Sequence, residues 1–267
     1  MSYPVPEIKE NLFSNLNPGY DGVGEFYDLF TDDSDIAFYI QQAEKMGSPI
    51  LDVAAGTGRI SLALAREGFE VVALDCSSSM LAAFRRKLEQ APLPVSRRIS
   101  LIQANMVQFK LKQRFSLIII PNSFSHAMTT DAQLACLRCV RQHLSRNGLF
   151  ILDLYNREAQ YAHAEFEGFP VCIGNNRTVE RHGKISSDSD RTILRLDLQY
   201  IVRSADSSIV ETVNVTSGAS LISDVEADLL VRESGFEVIS EAGGFDNSIY
   251  DADSSRRILL LRMKRRK

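Results

Sequence analysis

Between Pro49 and Leu154 the chain alternates short continuous apolar runs with longer stretches of helical spacing. Ile50–Ala54 is an apolar run ending in glycine-rich residues, and Arg59–Glu67 after it reads as a helix closed by Gly68. Glu70–Asp75 reads as a buried strand, followed by a helix over Ser77–Leu88 entered through serine caps. Arg98–Gln103 is a third strand. Ser116–Ile120 is a fourth, apolar on both faces as a central parallel strand is. A helix over Asp131–Leu144 and a fifth strand over Gly148–Leu154 complete the series. Strands and helices alternating at these lengths predict βαβ units and a parallel sheet.

The rhythm changes after Tyr155. Up to Gly218 the pattern is β-like alternation (ILRLDLQYIV, SIVETVNV) between polar turns, which predicts two or three antiparallel strands inserted after the fifth. Ser-Asp-Val-Glu at Ser223 is a capping box opening a helix that ends near Gly235. Phe236–Ala242 and Arg257–Met263 are then a sixth and a seventh strand. Two helices are expected before Pro49, around Gly24–Thr31 and Ser34–Met46. The expected organisation is a helical segment over 1–48, a core of 49–154 with 219–267, and a β-rich insertion over 155–218.

Composition narrows the function. A net charge of −4 over 267 residues gives no broad cationic surface for nucleic acid. The one basic run, Arg262 and Lys264 to Lys267, reads as a solvated terminus. The first twenty residues lack the basic-then-apolar layout of a secretory signal, and runs such as Leu117–Ile120 are too short to cross a bilayer. The expectation is a cytoplasmic protein with no membrane partner. Cys136 and Cys139 form a CxxC inside a helical run, with no second pair for zinc, so the four cysteines read as reduced thiols and no metal site is expected.

The chemistry concentrates in ILDVAAGTGRISLALAREGFEVVALDCSSSML. A strand feeds a tight loop of small residues, Ala54 to Gly58, and a helix begins at once, so backbone amides face any ligand there. Asp75, at the end of the next strand, is placed to accept hydrogen bonds from the hydroxyls of a ribose. Loop and acid together describe a nucleoside-bearing cofactor. A dinucleotide loop would require a third small residue where Ser61 stands, and a YxxxK pair is absent.

These residues resemble the class I S-adenosylmethionine-dependent methyltransferases, small-molecule branch, with their sugar-amine and glycine-type N-methyltransferases. Leu51 to Gly58 (LDVAAGTG) fits the family's first motif, (L/V)(D/E)xGxGxG, with Ala54 in place of the first glycine. The resemblance implies an α/β fold. It is a Rossmann-like seven-stranded sheet, mostly parallel with the last strand antiparallel, helices on both faces and the β-rich insertion after the fifth strand. S-adenosylmethionine would be the cofactor and S-adenosylhomocysteine the product. Its binding residues would be Tyr27, Asp52, Ala54, Gly56, Thr57, Gly58, Arg59, Asp75, Cys76, Met80, Asn105, Met106, Pro121 and Asn122. Asn105 in QANM matches the position that meets the adenine amino group. PNSFSHAMTTD stands where nucleic-acid amino methyltransferases usually carry (N/D)PP(Y/F). His126 is the candidate general base or orienting group. Tyr20, Ser123, His126, Tyr155, Asp246 and Tyr250 are candidate acceptor contacts, and His163 is a further histidine of interest.

The reading is therefore methyl transfer to a small-molecule acceptor, an amine nitrogen first and an oxygen close behind. A homodimer is an arrangement the insertion would suit. A non-catalytic S-adenosylmethionine-binding module, an NAD-dependent reductase, and methylation of protein or RNA stand as alternatives.

Overall fold

A computed structural model describes residues 20–155, 164–187 and 192–264. Its central sheet is built from β1 (Ile50–Val53), β2 (Val71–Asp75), β3 (Ile99–Gln103), β4 (Phe115–Ile120), β5 (Leu144–Tyr155), β11 (Phe236–Ala242) and β12 (Arg256–Met263). The order is β3-β2-β1-β4-β5-β12-β11. Strands β1 to β5 pair in parallel, and β12 runs antiparallel to both of its neighbours. Its reversal puts the β11–β12 connection at the carboxyl edge, where the loops after β1, β2 and β4 also emerge.

Alternate residues of each inner strand feed opposite layers, as the period of two requires. Leu51, Val53, Ile118, Ile120, Phe150 and Leu152 pack under α5 (Thr130–His143) and α6 (Asp224–Glu233). Ile50, Leu117, Ile119 and Ile151 face the other way, toward α1 (Ile36–Met46), α2 (Arg59–Arg66) and Phe84 of α3 (Ser78–Gln90). A short turn, α4 (Leu93–Ser96), precedes β3. Each buried Leu, Ile or Phe contributes roughly 1.5–3 kcal/mol, so this double-sided core fixes the sheet.

The insertion forms its own antiparallel sheet of five strands, not two or three. β10 (Ile209–Ser220), β9 (Ile193–Arg203), β8 (Thr178–Ser187) and β6 (Ala164–Glu167) pair in that order, and β7 (Val171–Cys172) pairs with β8. The two short strands carry little apolar pattern, which is why alternation missed them. Val179, Leu198, Tyr200, Val202 and Val215 of this sheet bury against Val23, Phe26 and Met80.

Before α1 the expected helix over Gly24–Thr31 is instead one 3-10 turn, Tyr27–Phe30. Gly24 lets the chain pack closely on the start of α3, where a Cβ would overlap the Ser79 carbonyl. Residues 1–19, His163 and the tail beyond Lys264 lie outside the described residues. Among the described residues no helix is long and apolar enough to cross a membrane, and no cluster of His, Cys, Asp and Glu could hold a metal ion.

Candidate active site

The loop after β1 turns through three left-handed residues, Ala54 (φ +57), Gly56 (φ +57) and Gly58 (φ +81). Ala54 accepts a conformation that costs an L-residue roughly 1–2 kcal/mol, at the position where the family motif has glycine. The two glycines answer different demands. A Cβ on Gly56 would meet nothing within 4 Å, so its backbone faces open space. A Cβ on Gly58 would overlap the Phe84 ring, so Gly58 serves the packing of α3 on the loop.

Asp75, buried at the end of β2, accepts the Gly56 N–H at 2.7 Å on one oxygen and the Ser77 N–H at 2.8 Å on the other. Burial raises its carboxyl above the ordinary aspartate range. It lines a cavity of about 270 Å³ together with Gly56, Cys76, Met80, Asn105 and Met106. Asn105 Oδ1 already accepts the Val107 N–H at 3.0 Å, which holds that loop in an Asx turn.

Tyr20, Ser123, His126 and Tyr155 wall the same cavity. His126 ends a 3-10 turn after β4, and its Nδ1 lies 2.9 Å from the Gly218 carbonyl of β10. A carbonyl only accepts, so Nδ1 carries the proton and Nε2 the lone pair. Burial holds the imidazole below its ordinary pKa, which favours this neutral form. The Tyr20 ring meets it edge-on at 5.4 Å. Burial raises the Tyr20 phenol and pushes Tyr27 up to about 12.

A second cavity of about 420 Å³ shares the wall of Tyr20, Tyr27, Gly56, Asn122 and Tyr155 and extends to Asp52, Thr57, Arg59, Pro121, Arg181 and Arg256. Asp52 is buried. Ser61 donates to its Oδ2 at 2.6 Å, and its Oδ1 has no partner. Burial lifts this carboxyl to about 7. Ser61, which disfavours a dinucleotide, thus anchors the motif's acid.

Some residues reach the site indirectly. Arg59 binds Asp35 at the start of α1 through two bonds, 2.5 and 2.7 Å. Thr57 donates to Asp28 at 2.5 Å. Asn122 is left-handed (φ +49) and its N–H is held by buried Asp153 at 3.0 Å. Arg256 donates to both oxygens of Asp153 at 2.8 Å while its guanidinium covers Tyr155 at 4.4 Å. Asp153 and Arg256 escaped the sequence reading. A polar residue on each of two apolar strands was the available signal.

Two candidates stand apart. Asp246 is exposed and accepts the Ser248 N–H at 3.0 Å, and Tyr250 donates to Asp224 at 2.9 Å; neither lines a cavity described above. Their loop does reach the second cavity, through Phe245. The described cysteines are all free, with Cys136 buried in α5.

A sheet of this order with β12 reversed, carrying a glycine loop and an acid at adjacent strand ends, has the class I methyltransferase fold. Residues 50–148 match a family described as a methyltransferase domain. The chain is 25% identical over 217 residues to a cypemycin N-terminal methyltransferase of a Streptomyces species, covering 80% of this chain and 83% of that protein. It is 25% identical over 223 residues to a dTDP-3-amino-3,4,6-trideoxy-alpha-D-glucopyranose N,N-dimethyltransferase of Streptomyces venezuelae, covering 83% and 85%. The CcbJ methyltransferase of Streptomyces caelestis has the same fold, with a TM-score of 0.77 at 22% identity over 93% of this chain and 99% of that one.

Proposed function

We propose that this enzyme transfers a methyl group from S-adenosylmethionine to an amine nitrogen of a small-molecule acceptor, leaving S-adenosylhomocysteine. The observation that carries the reading is one cavity walled on one side by Gly56, Asp75 and Asn105 and on the other by Tyr20, His126 and Tyr155. The residues present fit the cofactor. Asp75 offers oxygens to ribose hydroxyls, Gly56 leaves room for close approach, and the unpartnered Asp52 Oδ1 awaits a donor such as an ammonium. Bound there, the cofactor supplies a methyl group already activated on a sulfonium.

What remains for the chain is to aim a lone pair at that methyl carbon and exclude water. Orientation alone can lower the barrier by roughly 7–11 kcal/mol, so no catalytic triad is required. Tyr20, Tyr27 and Tyr155 supply an apolar, aromatic wall for the acceptor. His126 Nε2 can take the proton a nitrogen sheds. A second reading, transfer to a hydroxyl, is favoured by that same neutral imidazole, because a hydroxyl gains more from a base than an amine does.

In this reading the segment before Pro49 closes over the cofactor, residues 49–154 and 219–267 form the catalytic core, and the insertion over 155–218 is the lid of the acceptor pocket or a dimer contact. The enzyme acts in the cytoplasm and needs no nucleic-acid or membrane partner. The test is incubation with methyl-labelled cofactor and separate metabolite, protein and RNA pools. Label in metabolites supports the reading. Label only in a macromolecule, or none at all, overturns it.

A further inference from the structure

Three guanidinium groups line the second cavity, and they are not equivalent. Arg59 is neutralised by Asp35 and Arg256 by Asp153, each through two short bonds. Arg181 has no carboxylate within 4.0 Å among the described residues, and its Nε is buried without a hydrogen-bond partner. Its Nη1 reaches the Phe30 carbonyl at a long 3.5 Å, and the guanidinium also meets the Tyr200 hydroxyl, a neutral partner that leaves its charge uncompensated. Two other acids line the cavity or its rim. Asp52 is turned to Ser61, and Asp32 accepts the Ser34 N–H at 2.9 Å.

The side chain is nevertheless held in place. Arg181 pairs across the ladder with Tyr200 of β9, and its carbonyl accepts the Gly168 N–H at 2.8 Å. The guanidinium lies over Phe30 at 4.8 Å and over Phe166 at 5.3 Å. A cation fixed between two rings with a donor left over is pre-organised for an oxyanion, because a buried donor without a partner costs free energy that a bound acceptor recovers. The wall shared with the His126 cavity sets the two sites side by side.

We infer that Arg181 seats an acidic group, a carboxylate or a phosphate, carried by the amine acceptor, so that the substrate is an amine bearing an oxyanion and is gripped at two points. This rests on the methyltransferase reading and adds to it a substrate class and a specificity residue. The cofactor's own carboxylate is the competing source of the same chemistry.

The test is calorimetry on the protein saturated with S-adenosylhomocysteine, titrated separately with acetate, inorganic phosphate and thymidine diphosphate. At least one should bind to wild type. Arg181→Gln should weaken that binding about tenfold or more, and Arg181→Lys by less, with S-adenosylhomocysteine affinity within twofold of wild type in both. Far-UV circular dichroism and the melting midpoint verify the fold, and Arg181→Lys preserves the test if the Gln variant fails to fold. Whichever anion binds separates carboxylate from phosphate. Three results overturn the inference: no anion binding to the loaded wild type, anion binding unchanged in Arg181→Gln, or a selective loss of S-adenosylhomocysteine affinity. The first leaves the methyltransferase reading standing. Anion binding lost in Arg181→Gln by a protein that never binds S-adenosylhomocysteine would leave Arg181 an oxyanion seat but sink the methyltransferase reading, and with it the assignment of that oxyanion to a methyl acceptor.

Discussion

Replacing Asp75 removes the carboxylate that holds the Gly56 N–H and that the proposed function gives to the cofactor's ribose. One carboxylate oxygen accepts the Gly56 N–H at 2.7 Å and the other the Ser77 N–H at 2.8 Å, the Cys76 N–H also contributes, and the carboxylate lines the cavity with lone pairs left for further donors. Two ribose hydroxyls can use those lone pairs. Hydrogen bonds to a charged group contribute about 1.5–3 kcal/mol each, partly offset because water serves the same hydroxyls when the ligand is free. A net loss of about 1–3 kcal/mol for Asp75→Ala corresponds to S-adenosylhomocysteine binding roughly 5- to 150-fold weaker. Asp75→Asn is not the mild substitution it looks. An amide has one acceptor end and one donor end, so whichever way it turns its NH₂ meets a backbone N–H. Its loss should fall in the same range. Because burial raises the Asp75 carboxyl, wild-type affinity should also fall with pH before the ordinary aspartate range is reached. Calorimetry reads all of this, with circular dichroism as the control for folding. Affinity within twofold of wild type in both variants would refute the ribose assignment.

Other residues make separate predictions. Asp52, lifted to about 7 by burial, keeps in the folded apo protein a proton that the unfolded chain releases near the ordinary aspartate value, so its contribution to stability falls as pH rises between about 4 and 7. Asp52→Asn should therefore make the apo protein more stable by about 1–3 kcal/mol at pH 8 in urea denaturation, a gain that vanishes near pH 4, while weakening S-adenosylhomocysteine. Burial lowers the His126 pKa, so the acid limb of kcat/KM should lie below the ordinary histidine value. His126→Asn should abolish that limb and reduce kcat about 100-fold; a limb that survives belongs to the acceptor. Gly58→Ala meets both a positive φ and the Phe84 ring and should destabilise the fold by about 2–4 kcal/mol. Adding Phe84→Leu should restore part of that loss, since it relieves overlap and leaves the backbone strained; no restoration would mean that the ring is not the obstacle.

The parallel core was legible because its information is local. A strand buried on both faces is a continuous apolar run, and Leu117 to Ile120 feeds both layers in turn. The loop and its acid were legible for the same reason, since strand, turn and helix follow one another without a gap. What escaped depends on who meets whom. His126 takes its tautomer from Gly218, 92 positions away, and Asp153 finds Arg256 at 103. No periodicity carries such pairings. In the β11–β12 connection the residue types pointed to Asp246 and Tyr250. The turn, closed by the Gly243 N–H on the Ser248 carbonyl at 2.8 Å, instead leaves Phe245 lining the cavity. Polarity marked Asp246 and Tyr250, whereas the side chain of this loop that lines the cavity is the apolar Phe245.

The segment around Tyr20–Phe30 joins both halves of the site, and its two attachments differ in kind. Toward the core they are polar apart from Met80 of α3, which is buried in one cluster with Val23 and Phe26. Asp21 accepts the Ser79 N–H at 2.9 Å and the Ser77 hydroxyl at 2.7 Å, at the start of α3. Asp28 accepts Thr57 and pairs with half-exposed Lys87, whose Nζ also donates to the Thr57 carbonyl at 2.9 Å. Toward the insertion they are apolar, with Val23 and Phe26 buried among Val179, Leu198, Tyr200 and Val215. A partly exposed ion pair contributes about 0–1 kcal/mol, whereas burying a Val or Phe contributes roughly 1.5–3 kcal/mol. On the proposed reading that this segment closes over the cofactor, opening should part the polar seam first, and the segment should travel with the insertion sheet. The core would then keep the glycine loop and Asp75. Arg181 and the Gly218 carbonyl would leave together, taking with them the proposed acceptor seat and the group that sets the His126 tautomer.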